Sequence, residues 1–154
     1  MSTMKSDKAD MLFSQWIRLR DRECKRCFSP VVFNEKGQPK SHQNSHYFGR
    51  SKQSTRFDPE NCDTLCHGCH RLWEKEDRED YREFKVNQLG EEGFQKLLER
   101  SRMYHKKDYL AERIYWRQRL KEDYGRTARA KIIANTKDKA AGLGEDFTIP
   151  DTLR

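Results

Sequence analysis

Cys24-Lys25-Arg26-Cys27 and Cys66-His67-Gly68-Cys69-His70 enclose a segment that contains Ser45-His46-Tyr47 and Asn61. The C-x2-C spacing lets two thiolates turn onto one tetrahedral zinc ion, and two such pairs complete a four-sulfur site. The predicted structural site is therefore Zn2+ on Cys24, Cys27, Cys66 and Cys69, closing the loop between them. The fifth cysteine, Cys62, lies in Asn61-Cys62-Asp63-Thr64-Leu65-Cys66 and reads as a small apolar filler beneath that loop.

A metal staple suits the rest of the chain. Of 154 residues 34% are hydrophobic and 37% charged, and the mean hydropathy is −1.17. Such a chain builds one small core with helical extensions, and a small core needs a staple. The net charge of +7 favours a polyanionic partner, because a positive field speeds encounter with phosphates whatever the fold. No apolar run approaches the ~20 residues that span a bilayer, and Met1 to Asp10 lacks the apolar stretch of a secretory signal. The expected location is the cytoplasm, where cysteines serve as metal ligands or free thiols more often than as disulfides.

Outward from the cysteines, Ala9, Leu12, Phe13, Trp16 and Leu19 share one face of a predicted amphipathic helix, with Ser6 or Asp7 as N-cap. Between the Cys pairs, breakers at Pro30, Gly37, Pro39, Gly49 and Pro59 and β-type residues at Val31, Val32, Phe33, Tyr47 and Phe48 predict short strands and a long loop. A helix is expected to begin within the second Cys pair and run through Phe84. Two more follow, over about 90–101 and about 106–124, with Gly125 as C-cap. On the last, Tyr109, Leu110, Ile114, Trp116, Leu120 and Tyr124 share a face with Arg113, Arg117 and Lys121, either as a packed stripe flanked by Arg stems or as a face that also meets DNA. Residues 126–154 read as a short helix near 127–134 and a flexible basic tail. The expected organisation is an N-terminal helix (1–22), a zinc-stapled core (23–85), a helical extension (86–125) and the tail (126–154).

The central constellation has the residues for phosphodiester hydrolysis, which needs an activated water, a cation beside the phosphate and help for the departing oxygen. His46, on an expected strand with Tyr47 and Phe48, suits a general base, since neutral imidazole takes a proton from water near pH 7. His70, in the first turns of the following helix, suits a ligand for a catalytic divalent ion, Mg2+ or Mn2+. Asn61 has an amide able to bond backbone across the loop and hold the His46 ring. Arg50, Lys52 and Arg56, on the loop between His46 and Asn61, are the candidate phosphate contacts.

The segment from Cys24 to His70 resembles the HNH (His-Me finger, ββα-metal) endonucleases, whose pattern runs through a Cys pair, a general-base His, an Asn in Asn-x3-Leu-Cys and a Cys pair ending in His. Over roughly residues 10–125 the chain is similar to the phage recombination nucleases of the NinG/Rap family. That likeness is carried by Leu12-Phe13-Ser14-Gln15-Trp16-Ile17-Arg18-Leu19-Arg20-Asp21 before the first pair, then Ser45-His46-Tyr47 and Arg56-Phe57-Asp58-Pro59-Glu60-Asn61. The resemblance implies an α+β fold with a ββα-metal core, structural zinc on the four cysteines, His46 as base, Asn61 as its orienter and His70 on the catalytic ion. It also implies branched DNA partners such as Holliday junctions or D-loops, in a host cytoplasm if the chain is phage-encoded. Symmetric cutting of a junction is easier for a homodimer. Two positions depart from the pattern. Ser45 stands where many HNH enzymes carry an acidic metal ligand, leaving His42, Asp58, Asp63 or His67 to complete the set; His70 stands where NinG-like chains often have Asn. The competing expectation is a zinc-stapled DNA-binding module without catalysis.

Overall fold

Asp7 starts the first helix, α1 (Lys8–Asp21), in a computed structural model that describes residues 6–125. Its carboxylate accepts the Ala9 N–H at 2.9 Å while Asp10 accepts the Asp7 N–H at 2.7 Å, a reciprocal capping box. The helix stops at Arg22, which turns left-handed (φ 62) and returns its N–H to the Arg18 carbonyl.

Strand β1 (Gln43–His46) pairs antiparallel with β2 (Cys62–Leu65), with Gln43 opposite Leu65, Ser45 opposite Asp63 and His46 opposite Cys62. The remaining helices are α2 (His67–Arg71), α3 (Arg78–Arg102) and α4 (Tyr109–Leu120). The described residues thus form an α+β fold of four helices and one two-stranded sheet. None of these helices is long and apolar enough to cross a membrane.

Every residue of β2 is buried because the sheet is covered on both sides. Successive side chains of a strand alternate between faces. Cys62 and Thr64 meet α1: Cys62 packs with Ala9, Phe13, Trp16, Ile17, Phe57 and Trp116, and the Thr64 hydroxyl donates to the Ile17 carbonyl. Asp63 and Leu65 meet α3 and the cysteine cluster, where Leu65 packs with Cys24, Cys69, Trp73, Tyr81 and Phe94. Helix α4 lies against α1, with the Phe13 and Trp116 rings 4.6 Å apart and the Arg113 guanidinium bonded to Asp7 at 2.6 and 2.9 Å.

Several boundaries differ from those expected. The run after the second Cys pair widens over Leu72–Glu76, and Asp77 both closes that turn on the Leu72 carbonyl and caps α3 by accepting the Asp80 N–H. The helical run α3 passes the expected border at 85/86 but is broken at Gly90, whose φ of 76 and ψ of 164 are non-helical, so its second half starts where the helix over about 90–101 was expected. Helix α4 begins at Tyr109, later than expected, because Asp108 accepts the Leu110 and Ala111 N–H groups. Its expected stripe splits: Trp116 is buried, while Leu110 and Ile114 face outward. Val31, Val32 and Phe33 form no strand, only the isolated pairings Glu23–Pro30 and Phe33–Pro39. The expected helix near 127–134 and the tail lie outside the described residues.

Candidate functional site

The two Cys pairs meet. Ligand atoms of Cys24, Cys27, Cys66 and Cys69 all lie within 4.8 Å of one another, and among the described residues this is the one group of three or more potential metal ligands drawn together. The Cys27 and Cys66 sulfurs are 3.8 Å apart, close to the edge of about 3.8 Å expected for sulfurs tetrahedral around zinc. All are free thiols, so the cluster could hold a structural metal ion such as zinc.

Local backbone shapes each half of the cluster. In the first pair the Phe28 N–H returns to the Cys24 carbonyl, Phe28 takes a left-handed φ of 63, and the Cys27 N–H points at the Cys24 sulfur at 3.5 Å. The Lys25 N–H bonds the Thr64 carbonyl, tying this turn to β2. In the second pair Cys66 precedes α2, placing Cys69 on its first turn. The Ser29 hydroxyl and N–H beside Cys27 lower its thiol to about 6, whereas burial pushes Cys69 up to about 12 against the opposing pull of Arg26.

His46 closes β1 on the face toward α1, 6.2 Å ring to ring from Phe13. Its Nε2 lies 2.8 Å from the Arg56 carbonyl. A carbonyl only accepts, so Nε2 carries the proton and Nδ1 is left with its lone pair. Among the described residues Nδ1 has no hydrogen-bond partner. Burial lowers His46 to about 4, outweighing the Arg56 carbonyl bond, and the nearby Arg50 charge pushes the same way. The ring is therefore neutral at pH 7.

Asn61 sits beside it, fully buried, and its amide is used on every side. Oδ1 accepts the Phe48 N–H at 2.8 Å, while Nδ2 donates to the Phe48 carbonyl at 2.8 Å and the Thr55 carbonyl at 3.0 Å. Both ends of the loop that leaves His46 and returns with Arg56 are thus pinned by one side chain.

Arg56, expected as a phosphate contact, is an interior strut. It is 2% exposed and clasps Asp10, 7% exposed, through Nε at 2.9 Å and Nη2 at 2.6 Å. Burial raises Asp10, but the Arg56 bonds and the Asp7 N–H outweigh it and hold the carboxyl below its ordinary value. Nη1 reaches the Tyr109 hydroxyl at 3.0 Å. Asp10 is the residue that sequence reading missed; its one local signal was the Asp7-x-x-Asp10 capping pattern. Lys52 is exposed on the loop and Arg50 is half-buried near His46.

His70 belongs to the other side of the sheet. Its Nδ1 donates to Gln43 Oε1 at 2.6 Å, and its Nε2 faces Glu74 at 4.0 Å. Gln43 and His46 stand three positions apart on β1, so their side chains leave opposite faces and their Cα atoms are about 10 Å apart. The structure brings His46 and Asn61 together and does not bring His70 to them. Ser45 also points away from His46, accepting the Tyr81 hydroxyl at 3.1 Å.

The other candidate ligands are engaged elsewhere. Asp63 is fully buried, bonded by Lys85 and Tyr81 at 3.1 Å and by Gln88 at 3.0 Å. Asp58 holds Arg100 at 2.8 Å, His42 bridges Ser29 and Ser41, and His67 is exposed. The described side chains therefore do not fit a preassembled Mg2+ or Mn2+ site.

Comparison of the chain with family models, curated proteins and solved structures finds no match. The class that fold and site define is an α+β domain with a four-cysteine cluster that could hold a metal ion.

Proposed function

We propose that the chain is a zinc-stapled, HNH-type DNA endonuclease in which His46 is the general base of phosphodiester hydrolysis. The observation that carries this reading is the His46–Arg56 bond, with Asn61 pinning the same loop. It holds an imidazole in one tautomer, neutral at pH 7, with Nδ1 available to a water.

Nδ1 takes the proton as water oxygen forms its bond to phosphorus, and the opposite P–O bond breaks with its electrons leaving on the departing oxygen. A pKa of about 4 makes for a weak base in the free protein. A bound phosphate corrects this, because its negative charge favours the imidazolium that forms. The same phosphate would offset the Arg50 charge, which lowers His46 in the free protein. Asn61 acts through the loop, keeping the Arg56 carbonyl where it holds the ring.

The preference for Holliday junctions or D-loops rests on the resemblance to the NinG/Rap nucleases. The second reading, a zinc-stapled DNA-binding module without catalysis, is favoured by one observation: no second ligand cluster is drawn together among the described residues. Plasmid and four-way-junction cleavage with Mg2+ or Mn2+ separates the two. Cleavage that disappears in His46→Ala supports the nuclease; no cleavage with either ion, beside tight salt-sensitive binding, supports the module.

A further inference from the structure

Between the end of α3 and the start of α4 the chain passes over the loop at Ser51 to Gln53 and leaves an open cleft of about 550 Å3. Lys52, Arg102, His105 and Lys106 line it, and no Asp or Glu does. Some arginines elsewhere on this highly charged chain are neutralised in place, as Arg100 is by Asp58, Arg113 by Asp7 and Arg119 by Asp123. Among the described residues Lys52, Arg102 and Lys106 enter no ion pair. Like charges gathered without a counter-charge repel one another, and a polyanion relieves that repulsion.

A second feature of the cleft is not electrostatic. Tyr104 also lines it and is 97% exposed, so nearly its whole ring is open to solvent. An open aromatic face among cations is the combination that holds single strands: the cations follow the phosphates and the ring stacks on a base. Within a duplex both faces of each base are covered by stacked neighbours, so the ring finds a partner only where a base is unpaired.

The cleft also connects to the candidate site. Tyr109 in its wall donates to Gln53 Oε1 at 2.8 Å and accepts from Arg56 at 3.0 Å, and the Arg56 carbonyl holds His46. A strand lying in the cleft runs along the loop that positions the candidate base.

We infer that this cleft binds the sugar-phosphate backbone of a single-stranded DNA segment, with Tyr104 stacking on an unpaired base. The inference rests on the reading of DNA as the partner and adds to it the unpaired strand.

The test uses the full chain carrying His46→Ala, without added divalent ion so that no cleavage intervenes. Binding of a labelled dT20 oligonucleotide and of a blunt duplex is followed by anisotropy across salt concentrations. Tyr104→Ala is expected to weaken dT20 binding about 5- to 100-fold and leave the duplex unchanged, while Tyr104→Phe keeps the ring and the affinity. Arg102→Ala with Lys106→Ala is expected to lower the salt slope for dT20 by about 1.4, two phosphate contacts at about 0.7 each. All three side chains are exposed, so their loss leaves the core intact.

Failure of the parent protein to bind dT20, or variants that bind with parental affinity and slope, overturns the inference. Equal loss for strand and duplex in Tyr104→Ala overturns the stacking contact. A wild-type chain that binds dT20 in this way but cleaves nothing leaves the cleft assignment standing and removes the nuclease. Cleavage by wild type with no effect of the cleft variants on binding does the reverse.

Discussion

The Nε2–H of His46 donates to the main-chain carbonyl of Arg56 at 2.8 Å, and the guanidinium of the same Arg56 clasps Asp10 on α1. One residue thus links the candidate base, through its backbone, to the first helix, through its side chain. The orientation of the imidazole depends on a buried ion pair formed with a residue far away in the chain.

That dependence is measurable. Removing one partner of a buried pair leaves the other charge uncompensated, at a cost of about 3–5 kcal/mol. Arg56→Ala is expected to lose stability in that range by urea denaturation. Arg56→Lys keeps the charge but not the two-pronged geometry, and is expected to lose less. Wild-type stability in Arg56→Ala would show that the pair is not formed in solution.

The pH dependence of stability follows from His46. Its folded value of about 4 lies below the ordinary 6.5, so between these values the unfolded chain binds a proton that the folded chain does not. The His46 contribution to stability therefore falls as pH drops from about 6.5 to about 4 and adds nothing above that window, and His70, which burial also lowers, acts in the same direction. His46→Gln, which cannot titrate, is expected to flatten this part of the profile. Melting temperatures of both proteins across the window, with zinc content checked at each pH, decide it.

Zinc removal tests the staple. One zinc per chain is expected, and Cys66→Ser or a strong chelator is expected to release it and unfold the region around the cluster. Cys62→Ala is the control. Cys62 is fully buried among Phe13, Trp16 and Phe57, so its loss is expected to cost about 1–2 kcal/mol through packing while zinc is retained. Zinc lost from Cys62→Ala would place this residue among the ligands.

A second buried pair makes a separate prediction. Lys85 and Asp63 are both fully buried and 3.1 Å apart, and Lys85 also donates to the Glu60 carbonyl beside Asn61. Lys85→Met is expected to destabilise by about 3–5 kcal/mol, with Lys85→Met/Asp63→Asn recovering part of the loss. A double-mutant cycle by chemical denaturation gives the coupling; additive losses would argue against it.

How much of this was legible in the sequence depended on range. The Cys pairs, the Asp7 cap and the buried stripe of Ala9, Phe13 and Trp16 follow from local spacing, and the structure contains each. Cys62 as core filler was legible too, since it lies outside both C-x2-C units. Arg56 was misread because an arginine in a loop looks solvated until its partner Asp10 is placed against it, and that needs the tertiary fold. His70 adjoins Cys69, so spacing brings it to the cysteine cluster; which face of the sheet it meets depends on the register of Gln43 opposite Leu65, which no local pattern reveals. Ser45 looked like a weakened metal ligand beside His46, but strand alternation turns it to Tyr81 and Asp63.

The placement of His70 separates two variants. If His46 acts with the loop held by Asn61, His70→Ala is expected to keep cleavage within about tenfold of wild type, while His46→Ala loses the ~100-fold or more that a general base contributes. Equal losses in single-turnover rates would mean that the two histidines serve one centre.

The central claim is tested most directly by the cleavage of supercoiled plasmid and four-way-junction DNA, with Mg2+ or Mn2+, by wild type and His46→Ala. Zinc content and DNA binding are measured on the same preparations. The predicted result is cleavage by wild type and none by His46→Ala, with zinc and DNA binding unchanged. Cleavage by His46→Ala at the wild-type rate would contradict the account.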